Sequence, residues 1–142
     1  MSHSVELHVR YAETDQMGRA HHSHYLVWCE LGRSALMREA GASYSRLEER
    51  GVQLPVSRAE LEYRRPIGYD AAVRIETRLE QVRSRKVVFS YRILSAEDGV
   101  VAATARTELV SIDTDGRPTR LPPDVRKLLE SLQEQHVRSD FS

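Results

Sequence analysis

Apolar and polar positions alternate with a period of two over residues 5–11, with Val5, Leu7, Val9 and Tyr11 on one face and Glu6, His8 and Arg10 on the other. That alternation predicts a half-buried strand. Residues 12–22 are polar and aperiodic and contain Gly18, so a loop follows. From Ser23 to about Ala40 the period lengthens, with Tyr25, Trp28, Cys29, Gly32, Leu36 and Ala40 recurring three and four apart. This is the stripe of a helix packed on one side. Ser23 suits its N-cap, and Gly41 stands where helices commonly stop. A short helical or loop segment over 43–50 ends at Gly51, after which the period of two returns. Strands are predicted over 55–64 (Ser57, Ala59, Leu61 and Tyr63 on one face), 72–82 (Val73, Ile75, Thr77, Leu79), 86–95 (Val87, Phe89, Tyr91, Ile93) and 100–112. Glu97-Asp98-Gly99 marks a tight hairpin and Asp115-Gly116 another turn. Pro122 and Pro123 lead into a C-terminal helix over about 123–136, with Val125, Leu128, Leu129 and Leu132 at helical spacing.

One strand, one long helix and four strands in succession define an α+β chain whose sheet is antiparallel, with the helix on one face. Gly32, inside the helical stripe, would allow close approach to the sheet. An open sheet leaves edge strands, which proteins often cover with another subunit, so a homodimer or homotetramer is expected.

Composition narrows the picture. The 142 residues suit a single domain over 1–142, and 40% hydrophobic with 30% charged residues is ordinary for a globular protein. With 21 basic and 21 acidic residues the formal charge is zero, which argues against nucleic acid as the main partner. Cys29 is the single cysteine, so no internal disulfide forms. No apolar run reaches the roughly 20 residues of a membrane span, and the N-terminus lacks the apolar core of a signal peptide. A cytoplasmic location is expected.

The chemistry concentrates in Tyr11-Ala-Glu-Thr-Asp15-Gln-Met-Gly18-Arg-Ala-His-His22-Ser-His-Tyr25. A loop carboxylate there precedes the mouth of a helix, where unpaired N–H groups carry partial positive charge. Such a terminus can hold an oxyanion, and a carboxylate beside it can attack a carbonyl or activate water. His21, His22 and His24 invite a metal, but their spacing suits no single helix face and no cysteine ligand is near, so no metal is expected. Cys29, on the apolar stripe, reads as a small buried hydrophobe rather than a nucleophile.

Tyr11, Thr14-Asp15, Gly18, His22, Tyr25, Glu30 and Arg33 together resemble the 4-hydroxybenzoyl-CoA thioesterase-like branch of the hotdog superfamily. Leu61-Glu62-Tyr63 with Pro66 looks like its second strand, and Asp115-Gly-Arg-Pro118 leading to Leu121-Pro122 like its ending, so the likeness spans nearly the whole chain. The resemblance implies a hotdog fold and hydrolysis of an acyl-CoA thioester, with coenzyme A entering as part of the substrate and no separate cofactor. It implies Asp15 as nucleophile or general base, His22 at the thioester carbonyl, Tyr25 near the acyl pocket and Gly18 as the tight turn. Glu30 and Arg33, three apart, suit an ion pair on one helix face. His24 stands where relatives often carry Asn. Tyr11, Tyr25, Trp28 and Tyr63 are expected wall residues. Arg83-Ser-Arg85-Lys86 has the composition of a charged hairpin turn, while the resemblance implies nucleotide contacts from Arg83, Arg85 and Lys86, with Arg64 and Arg65 as weaker ones. An acyl-thioester hydratase or dehydratase, and a non-catalytic acyl-CoA or acyl-carrier-protein binding module, are the alternatives.

Overall fold

The computed structural model describes residues 3–137. Five strands, β1 (His3–His8), β2 (Val56–Tyr63), β3 (Ala72–Val82), β4 (Lys86–Ser95) and β5 (Val101–Val110), form one antiparallel sheet in the order β1-β3-β4-β5-β2. Three helices, α1 (His24–Glu39), α2 (Tyr44–Glu49) and α3 (Pro123–Val137), accompany it. The predicted elements are present, and β3 and β4 begin and end where their alternation does. The first strand is shorter than expected. After His8 the chain leaves the sheet, and Tyr11–Glu13 forms a single 3-10 turn that leaves Tyr11 exposed.

The sheet's inner face carries Val73, Ile75, Leu79, Phe89, Tyr91 and Ile93, all fully buried with Trp28, Leu36 and Met37 of α1 and Leu129 of α3. Each such side chain contributes about 1.5–3 kcal/mol by leaving water. Gly32 sets the distance between α1 and β3. A Cβ there would clash with Thr77 Oγ1 and stand 2.9 Å from Ile75 Cγ2, so only glycine permits this crossing.

The register of β3 slips against β4 between Leu79 and Gln81. Beside this bulge, beyond the last described β1 pair at Thr77, α3 takes up two backbone groups of β3. Leu79 N–H donates to His136 Nδ1 (2.9 Å), and Gln133 Nε2 donates to the Glu80 carbonyl (3.2 Å). The outer face is charged instead of apolar, with Arg74–Glu6, Arg92–Glu76, Arg106–Glu80, Arg106–Glu108 and Lys86–Glu108 pairs running across the strands.

β2 departs from expectation. Its predicted apolar face, Ser57, Ala59, Leu61 and Tyr63, is exposed apart from a half-buried Leu61. It is an edge strand that pairs only with β5 among the described residues, and most of that face is left uncovered by them.

Candidate active site

The loop between β1 and α1 is shaped by Asp15. Its Oδ1 accepts the N–H groups of Met17 (2.8 Å) and Arg19 (3.2 Å), while its own N–H donates to the Arg19 carbonyl (2.7 Å). The turn passes through Gly18 at φ +75°, a conformation in which a side chain would be strained. Backbone bonds from Ala20 N–H to Ile67 and from Tyr69 N–H to Gly18 tie the loop to the segment before β3. One oxygen of Asp15 therefore holds the loop, and the other accepts no hydrogen bond among the described residues.

Glu13 fastens the same loop to the helix, and no sequence pattern pointed to it. It is only 4% exposed, accepting the Arg10 N–H at 2.8 Å and the Trp28 indole N–H at 2.9 Å. Burial raises its pKa, but these hydrogen bonds and the Arg10 charge outweigh that and hold the carboxyl below its ordinary value.

Ser23 precedes α1 as expected but does not cap it through its side chain. Its hydroxyl and N–H both turn to His21 Nδ1 (2.8 and 3.2 Å). The His22 carbonyl accepts the Tyr63 hydroxyl at 2.9 Å, which pins the helix entry to the end of β2. The His22 N–H has no acceptor among the described residues. Tyr25 and Tyr63 stack edge to face with centroids 4.9 Å apart, and burial raises both phenol pKa values, assisted by their mutual charge at Tyr25 and by Cys29 at Tyr63.

These elements enclose an open cavity of about 350 Å³ lined by Asp15, Arg19, Ala20, His22, Tyr25, Tyr63, Arg64, Arg65 and Pro66. The fold thus gathers Asp15, His22, Tyr25 and Tyr63 around one space, with Gly18 forming the turn beside it. Arg19, which sequence reasoning did not single out, joins Arg64 and Arg65 to make the rim basic. A carboxylate with a free oxygen, a helix entry with an open N–H and three guanidinium groups can together bind an anionic ligand and act on a carbonyl.

Other expected residues lie elsewhere. Trp28 is wholly buried on Glu13, and Tyr11 is 79% exposed against Tyr69, so neither walls the cavity. The Glu30–Arg33 ion pair does not form among the described residues. Arg33 turns inward and is buried, whereas Glu30 stays exposed. Cys29 is buried, and loss of water pushes its thiol up to about 12, far from a reactive thiolate. Arg83, Arg85 and Lys86 occupy the turn after β3, at the opposite end of an 11-residue strand from the site, roughly 33 Å away at ordinary strand rise. There Lys86 pairs with Glu108. The rings of His21 and His22 lie 4.1 Å apart, but no group of metal-ligating side chains among the described residues has the geometry to hold an ion.

An antiparallel sheet wrapped on one long helix, with a carboxylate loop at that helix's N-terminus, is the architecture of a hotdog-fold thioesterase. The chain belongs to the Thioesterase-like superfamily, whose family model matches residues 9–129. The protein YneP of Bacillus subtilis is 37% identical over 78% of this chain and 79% of its own length. The acyl-CoA thioester hydrolase YbgC of Escherichia coli is 28% identical over 82% of this chain and 87% of its own. Among solved structures, the DHNA-CoA thioesterase of Staphylococcus aureus superposes with a TM-score of 0.91 at 31% identity, covering 99% of this chain and 97% of that one. No helix among the described residues is long and apolar enough to cross a membrane.

Proposed function

We propose that this protein hydrolyses acyl-CoA thioesters, with the thioester carbonyl held at the entry to α1 beside Asp15. The observation that carries this reading is the half-used carboxylate of Asp15, one oxygen fixed by two backbone N–H groups and the other without a hydrogen bond among the described residues, on a residue that lines one cavity with His22. The named activities of the matched relatives support the same bond. The free Asp15 oxygen either takes a proton from a water that adds to the carbonyl, or adds itself to give an anhydride that water then opens. In both routes the C–S bond breaks, coenzyme A departs as thiolate and takes up a proton, and the acid is released. The His22 N–H and the positive end of α1 stabilise the oxyanion.

Asp15→Asn keeps an oxygen to accept the Met17 and Arg19 N–H groups, so the fold should survive. Release of free thiol from a panel of acyl-CoAs should then fall by at least ~10²-fold, as loss of a central catalytic group does. Undiminished turnover in this variant would remove Asp15 from the mechanism.

A further inference from the structure

The backbone N–H groups from Arg19 to Tyr25 are engaged one after another, with a single gap. Arg19 donates to Asp15 Oδ1 (3.2 Å), Ala20 to the Ile67 carbonyl (2.7 Å) and His21 to the Glu13 carbonyl (2.7 Å). Beyond the gap, Ser23 donates to His21 Nδ1 (3.2 Å), His24 to the His21 carbonyl (3.1 Å) and Tyr25 to the His22 carbonyl (3.4 Å). The His22 N–H has no acceptor among the described residues, and His22 lines the Asp15 cavity. The run is thus open at a residue where an oxyanion donor can act.

The bonds on both sides of that gap meet at His21. Its N–H and its carbonyl are both used, and its imidazole takes the next donor in the chain. A backbone N–H can only donate, so Nδ1 accepts and the ring proton sits on Nε2. The Ser23 hydroxyl, 2.8 Å from the same nitrogen, donates to it as well. This is the turn that Asp and Asn side chains make with the N–H two residues on, formed here by a histidine. The His22 N–H belongs to the peptide whose carbonyl is that of His21. In a trans peptide the two groups point opposite ways, so binding that carbonyl to the His24 N–H aims the His22 N–H outward from the first turn of α1. The His21 ring also lies against the His22 ring, with centroids 4.1 Å apart. His21 itself is not among the residues that line the cavity, so any effect it has on the reaction passes through its neighbour.

We propose that His21 is a positioning residue for thioester hydrolysis. By accepting the Ser23 N–H at Nδ1 it locks the 21–23 turn, and with it the direction of the His22 N–H that receives the developing oxyanion. This rests on the thioesterase reading above and goes beyond it, since His21 is not one of the residues that carry the likeness to that family.

Two substitutions of nearly equal size separate the acceptor from the ring. Asn keeps an oxygen placed to accept the N–H two residues on, and Leu offers none. With an acyl-CoA that the wild type cleaves, His21→Leu should lower kcat about tenfold or more and leave KM within about twofold, the pattern of an interaction made in the transition state. His21→Asn should recover kcat to within about threefold of the wild type. Amide exchange of the unsubstituted protein, corrected for intrinsic rates, gives a second reading that no folding defect can blur. The Ser23 amide should exchange at least about threefold more slowly than that of His22. Wild-type kcat in His21→Leu, a loss carried by KM, equal losses in both variants, or a Ser23 amide as open as that of His22 overturns the proposal and leaves the thioesterase reading intact. A wild type that cleaves no acyl-CoA overturns both.

Discussion

Glu13 is tied to Arg10 and Trp28 by hydrogen bonds that only an ionised carboxylate can accept on both oxygens. Glu13→Gln places an NH₂ against one of those donors and should cost about 1–3 kcal/mol, the usual effect of a buried polar mismatch. Denaturant melts would record this as a lower midpoint with an unchanged slope, and an unchanged midpoint would contradict the role. Because the folded pKa lies below the unfolded one, the stabilisation is present above the unfolded value and fades as pH falls through the folded one. The stability difference between wild type and variant should therefore narrow at acidic pH. Neither Glu13 nor Arg33 was legible in the sequence as a buried group. Burial of a single charged residue is decided by partners distant in the chain, here Trp28 for Glu13 and the tyrosines of β4 and α2 for Arg33, and periodicity carries no record of them. Asp15 was legible because its loop, its glycine and the following helix are contiguous.

At the scale of elements, alternation identified every strand, and helical spacing identified α1 and α3, and for all of these but the exposed β2 one face is buried within this chain. The bulge in β3 was not legible. It alters backbone pairing without disturbing the apolar alternation of Val73, Ile75, Thr77 and Leu79. His136 secures it as a neutral imidazole, since its Nδ1 must accept the Leu79 N–H. Burial, together with the nearby Arg78 and His3, depresses its pKa from 6.5 to about 4. A depressed folded value means the stabilisation is complete above the unfolded pKa and declines as pH falls. We expect about 3 kcal/mol to be lost between pH 6.5 and 4, a loss that His136→Gln should largely abolish. Thermal melts over that range check it, and parallel pH profiles for the two proteins would count against it.

Across the whole molecule, two features point outward. We propose that a second copy of this chain covers the exposed face of β2, in which case light scattering should give a mass at a multiple of the 16.3 kDa protomer; a mass at the protomer value would rule that out. We propose that the basic rim receives the phosphates of coenzyme A, which require guanidinium or ammonium partners. Neutralising Arg19, Arg64 and Arg65 together should raise KM for an acyl-CoA about tenfold or more while sparing the same acyl group on pantetheine, which lacks the nucleotide phosphates. A rise confined instead to variants of Arg83, Arg85 and Lys86 would place the nucleotide at the β3–β4 turn of a neighbouring subunit. Sequence alone ranked that turn first because its charges are contiguous, whereas the arginines around Asp15 are gathered only by the fold.

The β3 bulge also constrains how this chain can vary. The Leu79 N–H and the Glu80 carbonyl belong to the backbone and persist whatever side chains stand there. Inheritance can adjust only the helix that answers them. Besides its core residues Val125 and Leu129, α3 is thus held at positions 133 and 136, where few residue types offer the needed donor or acceptor.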